Sequence, residues 1–229
     1  MEPTITIYCK NTHTYHEVPR GISLIELKDL LKIELPYPII AAHVNYKVEN
    51  LNFLLYKPKD IEFLDASSPS GMRAYVRTLN MVLACAINEL YPRTDLRIEH
   101  PISKGYYCTL QWHQDKKEET SSEIAAPVMT PDMVSAIKQR MLQIIEEDRQ
   151  IIEEEKQTKE VIRMFAARYN NEGSIFEALG NPYCRYFRMG DFIDYYTNVL
   201  LPSSGYLNVF DLEPYQDGML LRIPNRNNP

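Results

Sequence analysis

The search for chemistry starts with the histidines and cysteines, whose imidazole and thiolate groups bind metals or take protons near neutral pH. Both are scattered here. Cys9, Cys85, Cys108 and Cys184 form no CxxC pair, which reads as free thiols in a reducing compartment. His13, His16, His43, His100 and His113 have no ligand partner three or four residues away on a helix. His13 and His16 fall on an extended run, where a separation of three puts side chains on opposite faces. All five therefore read as structural or surface residues. No GxxxxGK[ST], GxGxxG or GxSxG stretch occurs, and 8 glycines in 229 residues leave little material for a phosphate-cradling loop. The expectation is a chain with no catalytic residue, no metal ligand set and no cofactor of its own.

Composition narrows the class further. Hydrophobic residues make up 45% and charged residues 24%, which suits a globular chain rather than a disordered one. No run of 18 apolar residues is present, so no membrane partner is expected. The start, MEPTITIYCK, lacks the basic and long apolar segments of a signal peptide, pointing to a cytoplasmic location. A net charge of −6 argues against a free-standing nucleic-acid binder, because phosphate contacts need clustered Lys and Arg. A local basic patch is compatible with that total. Composition and pattern leave the oligomeric state open.

The elements follow from spacing. Residues 4–10 and 13–20 read as a hairpin split by Asn11-Thr12. Ser23 with Glu26 three residues on is a capping box for a helix to about Ile33, with Leu24, Leu27, Leu30 and Leu31 inward and Pro36 and Pro38 ending it. Residues 39–48, 51–56 and Asp60–Leu64 are further strands. Asp65–Gly71 reads as a linker. Met72–Tyr91 is the organising helix, with Val76, Leu79, Leu83, Ala86 and Leu90 on one face. Leu96–Ile102 and Tyr106–Trp112 pair as strands, and Asp115–Pro127 is a polar loop. Thr130 or Asp132 starts a helix with Pro131 in its first turn and Met133, Ile137, Met141, Ile144 and Ile145 as its apolar face. The acidic runs Glu146–Asp148 and Glu153–Glu155 suit a solvated helix end and an exposed strand. Lys159–Tyr169 is a last helix, with Val161, Ile162 and Phe165 buried. Strands follow at Cys184–Met189, Asp191–Tyr196, Leu207–Glu213 and Met219–Ile223.

Two strands, a helix and further strands make a β-grasp plan. The stretches VPRGISLIEL, AAHVNYKVENLNFLL and DIEFLDASS resemble the TGS domain, a ubiquitin-like module at the front of threonyl-tRNA synthetases, over residues 1–67. The helix followed by LYP and then GYY resembles the start of the second, editing domain of the same enzymes. That resemblance covers residues 71–226 and implies an α+β fold. In the family the helix carries His-x-x-x-His, and a later block carries Asp-x-Cys-x-x-x-His. Here the matching positions hold Arg77 and Met81, then Asp194, Tyr196 and Leu200. Methionine and leucine have no proton to relay, and arginine has no lone pair to offer. The resemblance thus implies the editing fold without its hydrolysis.

Arg73, Arg77 and Asn80 lie on one side of the organising helix, the side that faces Asp194 and Tyr196 in the synthetase fold. These five residues are the ligand-binding candidates. Arginine with tyrosine suits a phosphate or a stacked base, hence a nucleotide or RNA. The competing reading pairs Arg77 with Asp194 and fills the old site as structure. The domain pair without a synthetase core also resembles the N-terminal region of bacterial proteins of the uridine kinase/phosphoribulokinase family. That implies a regulatory or recognition role beside a C-terminal kinase domain, with ATP and magnesium belonging to that domain and PNRNNP (224–229) as linker. The alternative is a stand-alone nucleotide- or RNA-binding adaptor.

Overall fold

The computed structural model describes residues 3–92, 94–112, 129–166, 176–178 and 180–225. The polar loop expected at Asp115–Pro127, His113, the end of the helix beyond Ala166 and most of the last six residues lie outside these.

The first unit contains β1 (Thr4–Cys9), β2 (Thr14–Pro19), β3 (Ile22–Ser23), α1 (Leu24–Leu30), β4 (Ala41–Val44), β5 (Lys47–Glu49), β6 (Leu54–Leu55) and β7 (Asp60–Leu64). Its five-stranded sheet runs β2-β1-β7-β4-β5, with β1 and β7 parallel and the other neighbours antiparallel. The capping box forms as expected: the Ser23 side chain accepts from Glu26 N–H, and the Glu26 carboxylate accepts from Ser23 N–H. α1 is shorter than its leucine pattern suggests. Lys32 adopts a left-handed φ of 49°, which closes the helix, and Leu30 is left 55% exposed while Leu24 and Leu27 are fully buried.

Asp65–Gly71, read from composition as a linker, is a capped helix start. The Asp65 carboxylate accepts from Ser67 N–H at 2.9 Å, and Ser68 Oγ donates to the Asp65 carbonyl oxygen at 2.9 Å. Ser68 caps α2 (Pro69–Leu90), with Pro69 in the first turn. Gly71 is required there: a Cβ would lie 2.0 Å from the Asp65 carbonyl oxygen.

The second unit packs around α2. β8 (Thr94–Ile102) and β9 (Gly105–Trp112) form a hairpin; then come α3 (Pro131–Glu146), β10 (Ile152–Gln157), α4 (Thr158–Ala166), β11 (Tyr183–Met189), β12 (Phe192–Asp194), a 3₁₀ turn (Ser204–Tyr206), β13 (Asp211–Tyr215) and β14 (Gly218–Arg222). One sheet runs β13-β14-β9-β8, the other β10-β11-β12. Thr130 caps α3 through Met133 N–H, as its position before Pro131 predicts. The molecule is α+β. No helix among the described residues is long and apolar enough to cross a membrane.

α2 is buried on more than the single face its spacing gives. Val76, Leu79, Leu83 and Ala86 are buried, but so are Met72, Tyr75, Met81, Val82 and Cys85, whereas Leu90 is 38% exposed. One large core holds these with Ile137, Met141 and Ile144 of α3 and Met219 and Leu221 of β14. A second core lies within residues 5–63, and a smaller one joins α4 to β11. Ile40 and Ala66 reach from the first unit into the α2 core, and Tyr206 packs against both.

Polar groups lock these layers. Tyr75, 2% exposed, accepts from the N–H groups of Asn208 and Val209 at 3.0 and 2.8 Å and donates to the Val209 carbonyl oxygen at 3.0 Å. Tyr75→Phe should lower the unfolding free energy by about 1–3 kcal/mol, measured in urea, because a buried hydroxyl that bonds three backbone groups is lost. At the other end of α2, Glu89 accepts from Arg140 of α3 and Arg149, and the same two arginines reach Glu147 at 3.0 and 2.6 Å. Burial alone would raise the Glu89 carboxyl, but the two arginine hydrogen bonds outweigh it and hold it below the usual range; Glu147 is lowered chiefly by Arg149. Carboxyls depressed in the folded state stabilise it above their unfolded pKa, about 4.3, and that stabilisation is lost as pH falls through the folded value. The unfolding free energy should therefore decline below about pH 4.3, and less steeply in Glu89→Gln. Equal slopes in urea titrations of the two proteins would remove this network as the cause.

Candidate functional site

The candidate site lies where α2 meets the chain after β12. Three side chains from two parts of the sequence hold consecutive backbone groups there. Arg77 Nε donates to the Val199 carbonyl oxygen at 3.2 Å, and Asn50 Nδ2, from the first unit, donates to the Leu200 carbonyl oxygen at 2.7 Å. Thr78 Oγ1 accepts from Leu201 N–H at 2.9 Å while donating to the Ala74 carbonyl oxygen of its own helix. Further along, Ile151 N–H donates to the Pro202 carbonyl oxygen and Ser204 N–H to that of Arg149, both at 2.9 Å. Residues 199–204 are thus a strap fastened along α2.

Two of the positions singled out by the resemblance lie in the core beside the strap. Met81 is fully buried, Leu200 is 1% exposed, and both belong to the α2 core. Tyr196 is half-buried, edge-on to Phe187 with ring centres 6.2 Å apart. Asp194 sits opposite Phe187 in the β11–β12 register and accepts from Tyr195 N–H at 2.7 Å. The pairing of Arg77 with Asp194 anticipated as one reading does not form; the guanidinium is taken by the Val199 carbonyl oxygen. Burial, and then the neighbouring Arg73 charge, pull the Arg77 guanidinium below its ordinary value. Arg73 is exposed and donates to Ser70 Oγ at 3.0 Å. Asn80, one turn on, has its Oδ1 buried without a hydrogen-bond partner among the described residues. The structure therefore keeps Arg73, Arg77 and Asn80 on one flank of α2, with Asp194 outside the contacts of Arg77.

Beside the strap lies a groove of about 760 Å³ that sequence reasoning missed. One wall is the β4–β5 hairpin, carrying Tyr46 and Glu49; the floor is the open face of β10 and β11, with Glu155, Tyr183 and Arg185. Tyr46 is 95% exposed and Tyr183 54%. These aromatics sit more than 130 residues apart in sequence, and nothing in their local pattern brings them together. The one local signal is the turn before Lys47, where Asn45 takes a left-handed φ of 57° and leaves Tyr46 at the hairpin tip.

No family model matches the chain. It is 26% identical over 193 residues to a threonine–tRNA ligase of Syntrophomonas wolfei, an alignment covering 83% of this chain and 28% of the ligase. A threonine–tRNA ligase of Clostridium kluyveri is 28% identical over 193 residues, covering 82% and 28%. That of Symbiobacterium thermophilum is 24% identical over 202 residues, covering 86% and 28%. The chain thus spans about 28% of the length of the curated relatives it matches. These relatives lend no support to the nucleoside-kinase context expected from the sequence. Over most of its length the chain is similar to one part of the threonine–tRNA ligases, and it has the α+β fold expected of a TGS and editing-type pairing.

Proposed function

We propose that this chain is a non-hydrolytic, cytoplasmic recognition module, a nucleotide- or RNA-binding adaptor that uses the degenerate editing fold. The observation that carries the reading is the pair Arg73 and Arg77. They stand one turn apart on α2, and neither has a carboxylate partner among the described residues. Like charges at this spacing destabilise a helix. A phosphate bound across both guanidiniums would relieve that cost with charge-assisted hydrogen bonds. The similarity to proteins named as tRNA ligases supports RNA as the source of that phosphate. Hydrolysis is left out because Met81 and Leu200 lie in the core, at positions where the resemblance calls for imidazoles.

A second reading makes the chain the regulatory part of a nucleoside kinase, with ATP and magnesium held by a separate kinase domain. The burial of Met81 and Leu200 in the core favours it, since a scaffold kept without its chemistry suits docking. It predicts no uridine phosphorylation by residues 1–229 alone.

The adaptor reading is tested by fluorescence anisotropy of labelled tRNA and short single-stranded RNA across a salt series. Arg73→Ala should weaken binding about tenfold and reduce the salt slope by about 1, with little change in thermal midpoint. Arg77→Ala should weaken binding too, and also cost about 1–3 kcal/mol of stability by leaving the Val199 carbonyl unbonded. Unchanged affinity and salt slope in Arg73→Ala would sink the reading. Release of amino acid from Ser-tRNA by the wild-type chain would contradict its non-hydrolytic part.

A further inference from the structure

The groove between the two units has the wrong charge for phosphate. Three carboxylates, Glu49, Glu153 and Glu155, line it against two cations, Lys47 and Arg185. Lys47 is spent on Glu49 at 2.8 Å and Arg185 on Glu153 at 3.0 Å. Glu155 has no hydrogen-bond or ion-pair partner among the described residues, although it stands directly across from Arg185 in the β10–β11 register. The strand alternation explains its exposure. Glu153, Glu155, Tyr183 and Arg185 project from one face of the sheet, while Cys184 and Tyr186 on the other face are buried against α4.

The same groove presents aromatic faces. Tyr46 and Tyr183 are the most open of them. Tyr46 already takes one cation: Lys10 Nζ lies 5.8 Å from its ring centre. A ring face beside an unneutralised carboxylate is the arrangement that holds an ammonium or guanidinium group, by attraction to the ring quadrupole and to the carboxylate together. A volume of about 760 Å³ falls within the roughly 300–1,000 Å³ of small-ligand sites.

We infer that this groove binds a small organic cation, an ammonium or guanidinium on an apolar stem, between Tyr46, Tyr183 and Glu155. The site is separate from Arg73 and Arg77, which do not line it, so it stands or falls independently of the RNA reading. Because the β4–β5 hairpin supplies one wall and the β10–β11 sheet the floor, the ligand bridges the two units.

The test is isothermal titration of the whole chain with L-argininamide and with choline, and with adenosine monophosphate as the anionic counterpart. At least one cation should bind at 1:1, and the nucleotide should not compete. Glu155→Gln and Tyr183→Ala should each weaken that binding by about tenfold. Both residues are surface-exposed, so the thermal midpoint without ligand should stay put, and RNA anisotropy should be unchanged in Glu155→Gln. Absence of cation binding would overturn the inference. So would an unchanged affinity in Glu155→Gln, displacement by adenosine monophosphate, or binding of a Lys/Arg peptide where both free cations fail.

Discussion

The bonding of the strap at residues 199–204 is the constraint on which the rest of the molecule depends. A chain segment laid against a buried helix takes its peptide groups out of water, and each unbonded one costs on the order of 1–3 kcal/mol. Among the described residues no strand neighbour serves residues 199–201. Side chains do so instead: Arg77, Asn50 and Thr78 take successive groups. With those bonds made, Leu200 and Leu201 can be buried against α2. The same bonds tie the first unit to the second through Asn50 and fix one end of the groove at Val199. Stability, the relation of the two units and the shape of the groove therefore share a cause.

The packing beside the strap also bears on positions 81 and 200, both of which lie in the core. An imidazole at position 81 or 200 would need hydrogen-bond partners in a place with no exposure, and burying a polar group without them is costly. Methionine and leucine satisfy the same space by packing. Arg77 is the exception, a charged side chain half-buried at the seam, and it is retained by a carbonyl oxygen rather than a carboxylate. That leaves it beside Arg73 with no carboxylate partner among the described residues. The aromatic groove has the opposite character. Two regions of opposite sign thus lie on either side of one backbone segment, although the chain as a whole carries a net charge of −6.

Much of the local structure was legible beforehand. The Ser23–Glu26 box and the Thr130 cap ahead of Pro131 are set by contacts within a few residues, and they form where the pattern puts them. The leucine pattern was less faithful at helix ends. Leu30 and Leu90 continue their apolar rows, yet both are exposed: Lys32 turns the chain left-handed after α1, and at Leu90 the helix runs past the elements that cover it. Asp65–Gly71 has the composition of a linker, but its serines and aspartate cap a helix, because the same short polar side chains serve both purposes.

By itself the sequence determined most of the elements and their order, the residue types at positions 77, 81, 196 and 200, and the flank holding Arg73, Arg77 and Asn80. These are properties of residue type and of spacing along one stretch. Only the tertiary structure decided that Arg77 goes to Val199 rather than Asp194, that Asn50 reaches across to Leu200, and that Tyr46 and Tyr183 face one groove with Glu155. The two hydrogen bonds join residues 122 and 150 positions apart, and Tyr46 lies about as far along the chain from the rest of its groove. Periodicity reports which face of an element avoids water, but which distant segment covers that face depends on how whole layers pack.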